Sequence, residues 1–198
     1  MDLTASWPLP DTGLRDELVA AYSSERGYHD LRHLAEVLAR IEELHEAGES
    51  FDRLPVVLAA WFHDGVYDGA AGDEARSAAW AQEALTAAGL DATEVAEVVR
   101  LVRLTEQHRP DPGDRNGEVL SDADLAILAA DQDRYDEYAA DVRREYSHVP
   151  DADFRLGRAA VLEDLAAKPS LFHTAHARTQ WESAARTNLA RELAALRA

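Results

Sequence analysis

Apolar residues recur three and four positions apart along nearly the whole chain, and that periodicity commits it to helices packed by one face. Leu14, Leu18 and Tyr22 make such a stripe over residues 11–25, broken by Gly27. Leu34, Val37, Leu38, Ile41 and Leu44 make another over 30–47, with Gly48 as its stop. Residues 56–62 form the longest uninterrupted apolar run. A run that short fits a buried strand as well as a buried helix, but Pro55 in the first turn and Gly65 just beyond select a helix. Being apolar almost all round, it is expected at the centre of the fold.

The remaining segments follow the same grammar. Asp73 is expected to cap a helix over 74–88, closed by Gly89. Asp91 caps the next, whose Val95, Val98, Val99 and Val102 face inward and which ends near His108. Residues 109–117, rich in Pro, Gly, Asp and Asn, read as a loop. Ser121 or Asp122 then caps a short helix over 123–130, and further helices are expected over 131–146, 151–167 and 178–196, with breaks at Pro150 and Pro169. No strand, repeat or long linker interrupts the pattern. The expectation is an all-α, single-domain helical bundle over 1–198, with its motifs at about 28–130 and C-terminal helices over 131–198.

Composition removes several functions. Lys plus Arg is 20 and Asp plus Glu is 38, a net charge of −18, which repels nucleic acid polymers and anionic membranes. There is no cysteine, so disulfides, thiolate metal sites and cysteine nucleophiles are excluded. The seven-residue run at 56–62 falls far short of the ~20 residues of a membrane span. Met1-Asp2-Leu3-Thr4 does not begin a secretion signal. A cytoplasmic location is expected.

Eight histidines are present, and those near carboxylates matter most. His63-Asp64 closes the most buried helix, where unpaired carbonyls favour a cation. His33 lies 30 residues upstream at the edge of an apolar stripe, with His29 one turn earlier. Asp122 and Asp124 open a short apolar stretch downstream. This His…His-Asp…Asp order resembles the HD superfamily of metal-dependent phosphohydrolases. Four ordered blocks, running from Tyr28 to His33, Trp61 to Asp68, Asp122 to Leu125 and Arg144 to Pro150, are similar to those of a bacterial subgroup of predicted HD phosphohydrolases.

The resemblance implies a metal set of His33, His63, Asp64 and Asp124. The final aspartate is ambiguous by two positions: Asp124 matches the family pattern, which leaves Asp122 as the helix cap, and the reverse assignment stays open. Two imidazoles and two carboxylates suit one divalent ion, Mn, Fe, Co, Ni, Zn or Mg, without distinguishing among them. Around it, Asp68 and Glu74 are candidate catalytic carboxylates, and His29, Arg76 and His108 candidate substrate contacts. His108 is equally suited to pairing with a helix C-terminus. Asp68 is in register with an acidic residue of alarmone-hydrolysing HD enzymes, but Tyr67 stands where their block carries glutamate. The implied activity is metal-dependent hydrolysis of a small phosphorylated metabolite or nucleotide. Two alternatives are an HD-fold iron oxygenase, for which the interval before Asp124 offers only His108, and a non-catalytic metal-binding regulatory module.

Overall fold

The computed structural model describes residues 3–24, 26–69 and 71–197. Glu25, the expected end of the first long helix, lies outside the described residues, as do Met1 and Asp2 of the N-terminal segment. The described residues form helices and no strand. In order these are α1 (Leu3–Ser6), α2 (Thr12–Tyr22), α3 (Leu31–Glu46), α4 (Arg53–Phe62), α5 (Asp73–Ala87), α6 (Ala92–Leu104), α7 (Arg115–Leu125), a 3₁₀ turn (Ala126–Ala129), α8 (Gln132–Glu145), α9 (Asp151–Ala167), α10 (Ala175–Gln180) and α11 (Glu182–Arg197).

Aspartates start many of these helices. Asp11, Asp30, Asp91, Asp114 and Asp131 each accept a hydrogen bond from a backbone N–H in the first turn of the helix that follows. The run expected at the centre is there: Pro55 to Phe62 of α4 are all buried, and α4 packs against α3, α5, α6 and α7. One apolar cluster joins Trp7 and Leu14 near the N-terminus to Leu189 and Leu193 of α11. No described helix is long and apolar enough to cross a membrane.

Three local expectations are corrected. Residues 115–117, read as loop, are the first turn of α7. The Asp114 carboxylate accepts from Gly117 N at 3.0 Å, and a Cβ on Gly117 would lie 2.3 Å from Asp114 Oδ2 and 2.7 Å from Leu104 Cδ2. The glycine is a packing requirement there, not a helix breaker. Asp73 is the first residue of α5 rather than its cap; Gly72 holds the cap position with φ +89°, and Asp73 Oδ2 accepts from the amides of Asp68 and Gly69 at 3.1 and 3.0 Å. The expected helix over 178–196 is two helices that meet at Trp181, a buried ring.

Candidate metal centre

His63 caps α4. Its backbone N–H still bonds to Ala59 O at 2.9 Å, and its Nδ1–H donates to Ala60 O at 2.7 Å. That bond uses one of the carbonyls a helix end leaves unpaired, and it fixes the neutral ring as the tautomer with a lone pair on Nε2. Asp64 follows, its amide donating to Tyr22 Oη at 3.2 Å. His33 stands in the first turn of α3, where Asp30 Oδ1 accepts from its amide at 3.2 Å. Asp124 comes from the last turn of α7.

These four side chains meet. His33 Nε2 and His63 Nε2 are 3.0 Å apart. Asp64 Oδ2 lies 3.4 and 3.1 Å from the two nitrogens, and Asp124 Oδ1 lies 3.2 and 3.7 Å from them. Donor atoms ~2.1 Å from one ion stand about 3.0–3.4 Å apart at right-angled to tetrahedral spacing, so the donors are already at ligand separations. His33, His63 and Asp64 can hold a metal ion, their ligand atoms all lying within 4.8 Å of one another.

The electrostatics agree with a cation. The His33 and His63 side chains are 2% and 1% exposed, the carboxylates of Asp64 and Asp124 13% and 12%. Burial opposes charge on Asp64, yet the imidazoles of His63, His29 and His33 hold its carboxyl well below the usual range. Burial likewise opposes charge on Asp124, and His63, His33 and His108 hold its carboxyl down. Burial pulls His33 down, but its hydrogen bonds to Asp124 and Asp64 prevail and push it up to about 10. His63, resisting the same burial, is raised chiefly by Asp64 and Asp124. Two ionised carboxylates in a nearly dry site require a compensating positive charge, and in the metal-free chain a proton supplies it.

The cluster sits against a cleft of about 820 Å³ whose wall includes Asp64 and Asp124. Among the other expected residues, His29, Glu74 and His108 line this cleft. His29 lies in the turn before α3, not on it. His108 is reached by a turn after α6 with φ +49°, a left-handed conformation uncommon outside glycine, and its Nε2 is 3.5 Å from Asp124 Oδ2. Burial lowers the His108 pKa, so the ring is neutral near pH 7.

Asp68 and Arg76 are not brought to the cluster. They pair with each other at 2.8 Å with side chains 57% and 45% exposed, because Asp73 at the start of α5 holds the amides of Asp68 and Gly69 beside that helix. Asp122 is not a cap. It is interior to α7 and fully buried, and its carboxylate accepts from the amides of His173 and Thr174 at 2.8 and 2.7 Å. Burial raises its pKa to about 7 against the pull of those two amides. Asp122 thus pins the chain before α10, and Asp124, on the other side of α7, faces the histidines.

Two positioning residues escaped the sequence reading. Arg26 donates to Asp64 O at 2.6 Å, Gly65 O at 3.1 Å and His29 O at 3.1 Å, tying both histidine-bearing segments together. Glu145, at the end of α8, accepts from Gly27 N at 3.1 Å and His29 N at 2.9 Å, and its Oε2 lies 2.8 Å from His29 Nδ1. A Cβ on Gly27 would fall 2.3 Å from Asp141 O, so only glycine allows this approach. The block from Arg144 to Pro150 was the one sequence signal pointing to Glu145. No model of a known protein family matches the chain, and neither a curated protein nor a solved structure does.

Proposed function

We propose that the chain is a metal-dependent phosphohydrolase of the HD type acting on phosphate esters of small molecules. The observation that carries the reading is the convergence of His33, His63, Asp64 and Asp124 from three helices onto atoms 3.0–3.7 Å apart beside an 820 Å³ cleft. The donor set, two imidazoles and two carboxylates without sulfur, fits one divalent ion. When bound, such an ion makes water a better nucleophile near neutral pH and polarises a phosphoryl oxygen.

The chain's own residues supply the rest. His63 is oriented by Ala60 O and keeps its Nε2 lone pair on the cluster. His29, held by Glu145, and neutral His108 present imidazoles to the cleft, suited to hydrogen-bonding a phosphate oxygen. Glu74 adds a carboxylate to the wall that can take a proton. Lys168 puts a cation on the same wall and Arg109 a second, paired with Asp164 at 3.1 Å, local positive charge toward an anion despite the net charge of −18. Asp68 and Arg76 have no part in this scheme.

The test is elemental analysis of the purified protein, followed by a phosphate-release screen with Mn²⁺, Co²⁺, Ni²⁺ and Mg²⁺ added separately. One divalent ion per chain and metal-dependent release are expected. Two irons per chain would move the assignment to an oxygenase, and no bound metal would leave a regulatory module.

A further inference from the structure

The cleft does not end at the cluster. It continues into a second recess of about 390 Å³ between α8 and α9. His29, Tyr138, Tyr146, Arg158 and Val161 wall both spaces, and the His29 ring centre is 5.6 Å from that of His33. The recess therefore begins one side chain away from the metal ligands.

Its chemistry differs from that of the cleft. Val142, Val149 and Phe154 complete the apolar side. Its polar groups are engaged: the Arg158 guanidinium bonds Glu192 through Nε and Nη2 at 2.8 and 3.1 Å, and His29 Nδ1 is taken by Glu145. Asp153 adds a carboxylate, which repels an anion. Tyr138, Tyr146 and Phe154 line it with aromatic rings, Arg158 lying over Tyr138 at 5.0 Å and Arg143 over Phe154 at 4.6 Å. Such a mainly apolar wall suits an uncharged ring better than a polyol, whose hydroxyls would lose water for few partners.

Gly157 strengthens this reading. It lies inside α9, where glycine is less stable than alanine, yet a Cβ there has no neighbour within 4 Å. No protein atom needs the room, and the missing side chain widens the recess. Val161, four residues on, is 54% exposed beside it.

We propose that the substrate is a phosphate monoester of an apolar, ring-bearing alcohol, with the ring in the recess between α8 and α9 and the phosphate on the metal side. The phosphate half rests on the hydrolase reading above; the ring half rests on the recess alone. In the reaction the oxygen of water bonds to phosphorus, the phosphorus–oxygen bond to the alcohol breaks, and the proton lost by water ends on the alcohol oxygen.

The experiment compares benzyl phosphate with glycerol phosphate, both esters of primary alcohols, on Mn²⁺-loaded wild type and Gly157→Leu. It adds binding of 2-phenylethylphosphonate, which cannot be hydrolysed. Wild type should prefer benzyl phosphate in kcat/KM by about tenfold or more, and Gly157→Leu should erase that preference and the phosphonate binding while melting no lower. An unchanged preference and unchanged phosphonate affinity in Gly157→Leu would overturn the proposal. So would wild type that binds no phosphonate, even if it hydrolyses glycerol phosphate. Phosphonate binding that Gly157→Leu removes, with neither ester hydrolysed, keeps the recess and overturns the hydrolase reading instead. If Gly157→Leu abolishes self-association but not phosphonate binding, the recess is an interface between copies and the proposal falls.

Discussion

α4 and α9 contribute to the same site from opposite design rules. Pro55 to Phe62 of α4 are all buried, and the helix is enclosed by α3, α5, α6 and α7. α9 is 17 residues long, buries Leu162, packs mainly on α11 and leaves Leu156 and Val161 73% and 54% exposed. Metal ligands must be held to a few tenths of an ångström, and only a side chain fixed by packing on all sides achieves that. A wall that selects the organic part of a substrate needs only a shape, and it can change residue by residue without disturbing the core. On the proposed reading, chemistry belongs to the α3–α4–α7 floor and selectivity to the α8–α9 wall.

The largest way to break that division is at the floor. Asp64→Asn keeps the size of the side chain but removes the charge that favours a cation. We expect metal-dependent phosphate release to fall on the order of 1,000-fold, about 4 kcal/mol at 1.36 kcal/mol per decade, with the circular dichroism spectrum unchanged. Wild-type turnover in this variant would end the metal-hydrolase assignment.

Next in size is the packing beneath the cluster. Leu58 of α4 is fully buried, so Leu58→Ala should cost about 3 kcal/mol of stability, within the 2–5 kcal/mol usual for such a cavity. Denaturant titration measures it; a loss below ~1 kcal/mol would mean that α4 is not the rigid element described.

The third effect is the competition between proton and metal at the floor. With the His33 pKa raised to about 10, an ion must displace a proton at neutral pH. Apparent Mn²⁺ affinity should therefore climb with pH by up to about tenfold per unit and level off near pH 10. In the metal-free chain the sign is opposite: protonated His33 stabilises the fold in full below its ordinary pKa of 6.5, and that contribution is lost as pH rises through about 10. Calorimetric titration with Mn²⁺ at a series of pH values reads the slope, and a flat profile would remove His33 from the ligand set.

The smallest effect belongs to the wall. Val161→Ala should change stability by less than ~0.5 kcal/mol, since the side chain is half exposed. A loss comparable to that of Leu58→Ala would erase the distinction between floor and wall.

The course of the helices was legible in the sequence because its signals are local. Apolar spacing, aspartate caps and Pro55 each act within a few residues, so α2, α3, α4, α6, α8 and α9 lie close to where they are expected. The N-terminus of α7 was illegible because Gly117, a helix breaker by propensity, is required by contacts with Asp114 and Leu104. For the site, His33, His63, Asp64 and Asp124 stood out through their order along the chain. Asp68 looked suitable by register and Arg76 by its place at the start of the next helix, but the exposed ion pair between them was invisible in the sequence.

The sequence by itself determined an all-helical chain with a buried helix ending on His63-Asp64, because periodicity and capping depend on near neighbours along the backbone. Only the tertiary structure decided which aspartate of α7 meets the histidines. Residues 122 and 124 differ by about 200° around a helix, and contacts with residues 173 and 174, 51 and 52 positions away, turn Asp122 outward from the cluster. It also decided that Glu145 would hold His29 across 116 residues and that α8 and α9 would leave a recess beside the histidine–aspartate cluster. Such pairings arise from how faces of distant helices meet, which no local pattern of residues encodes.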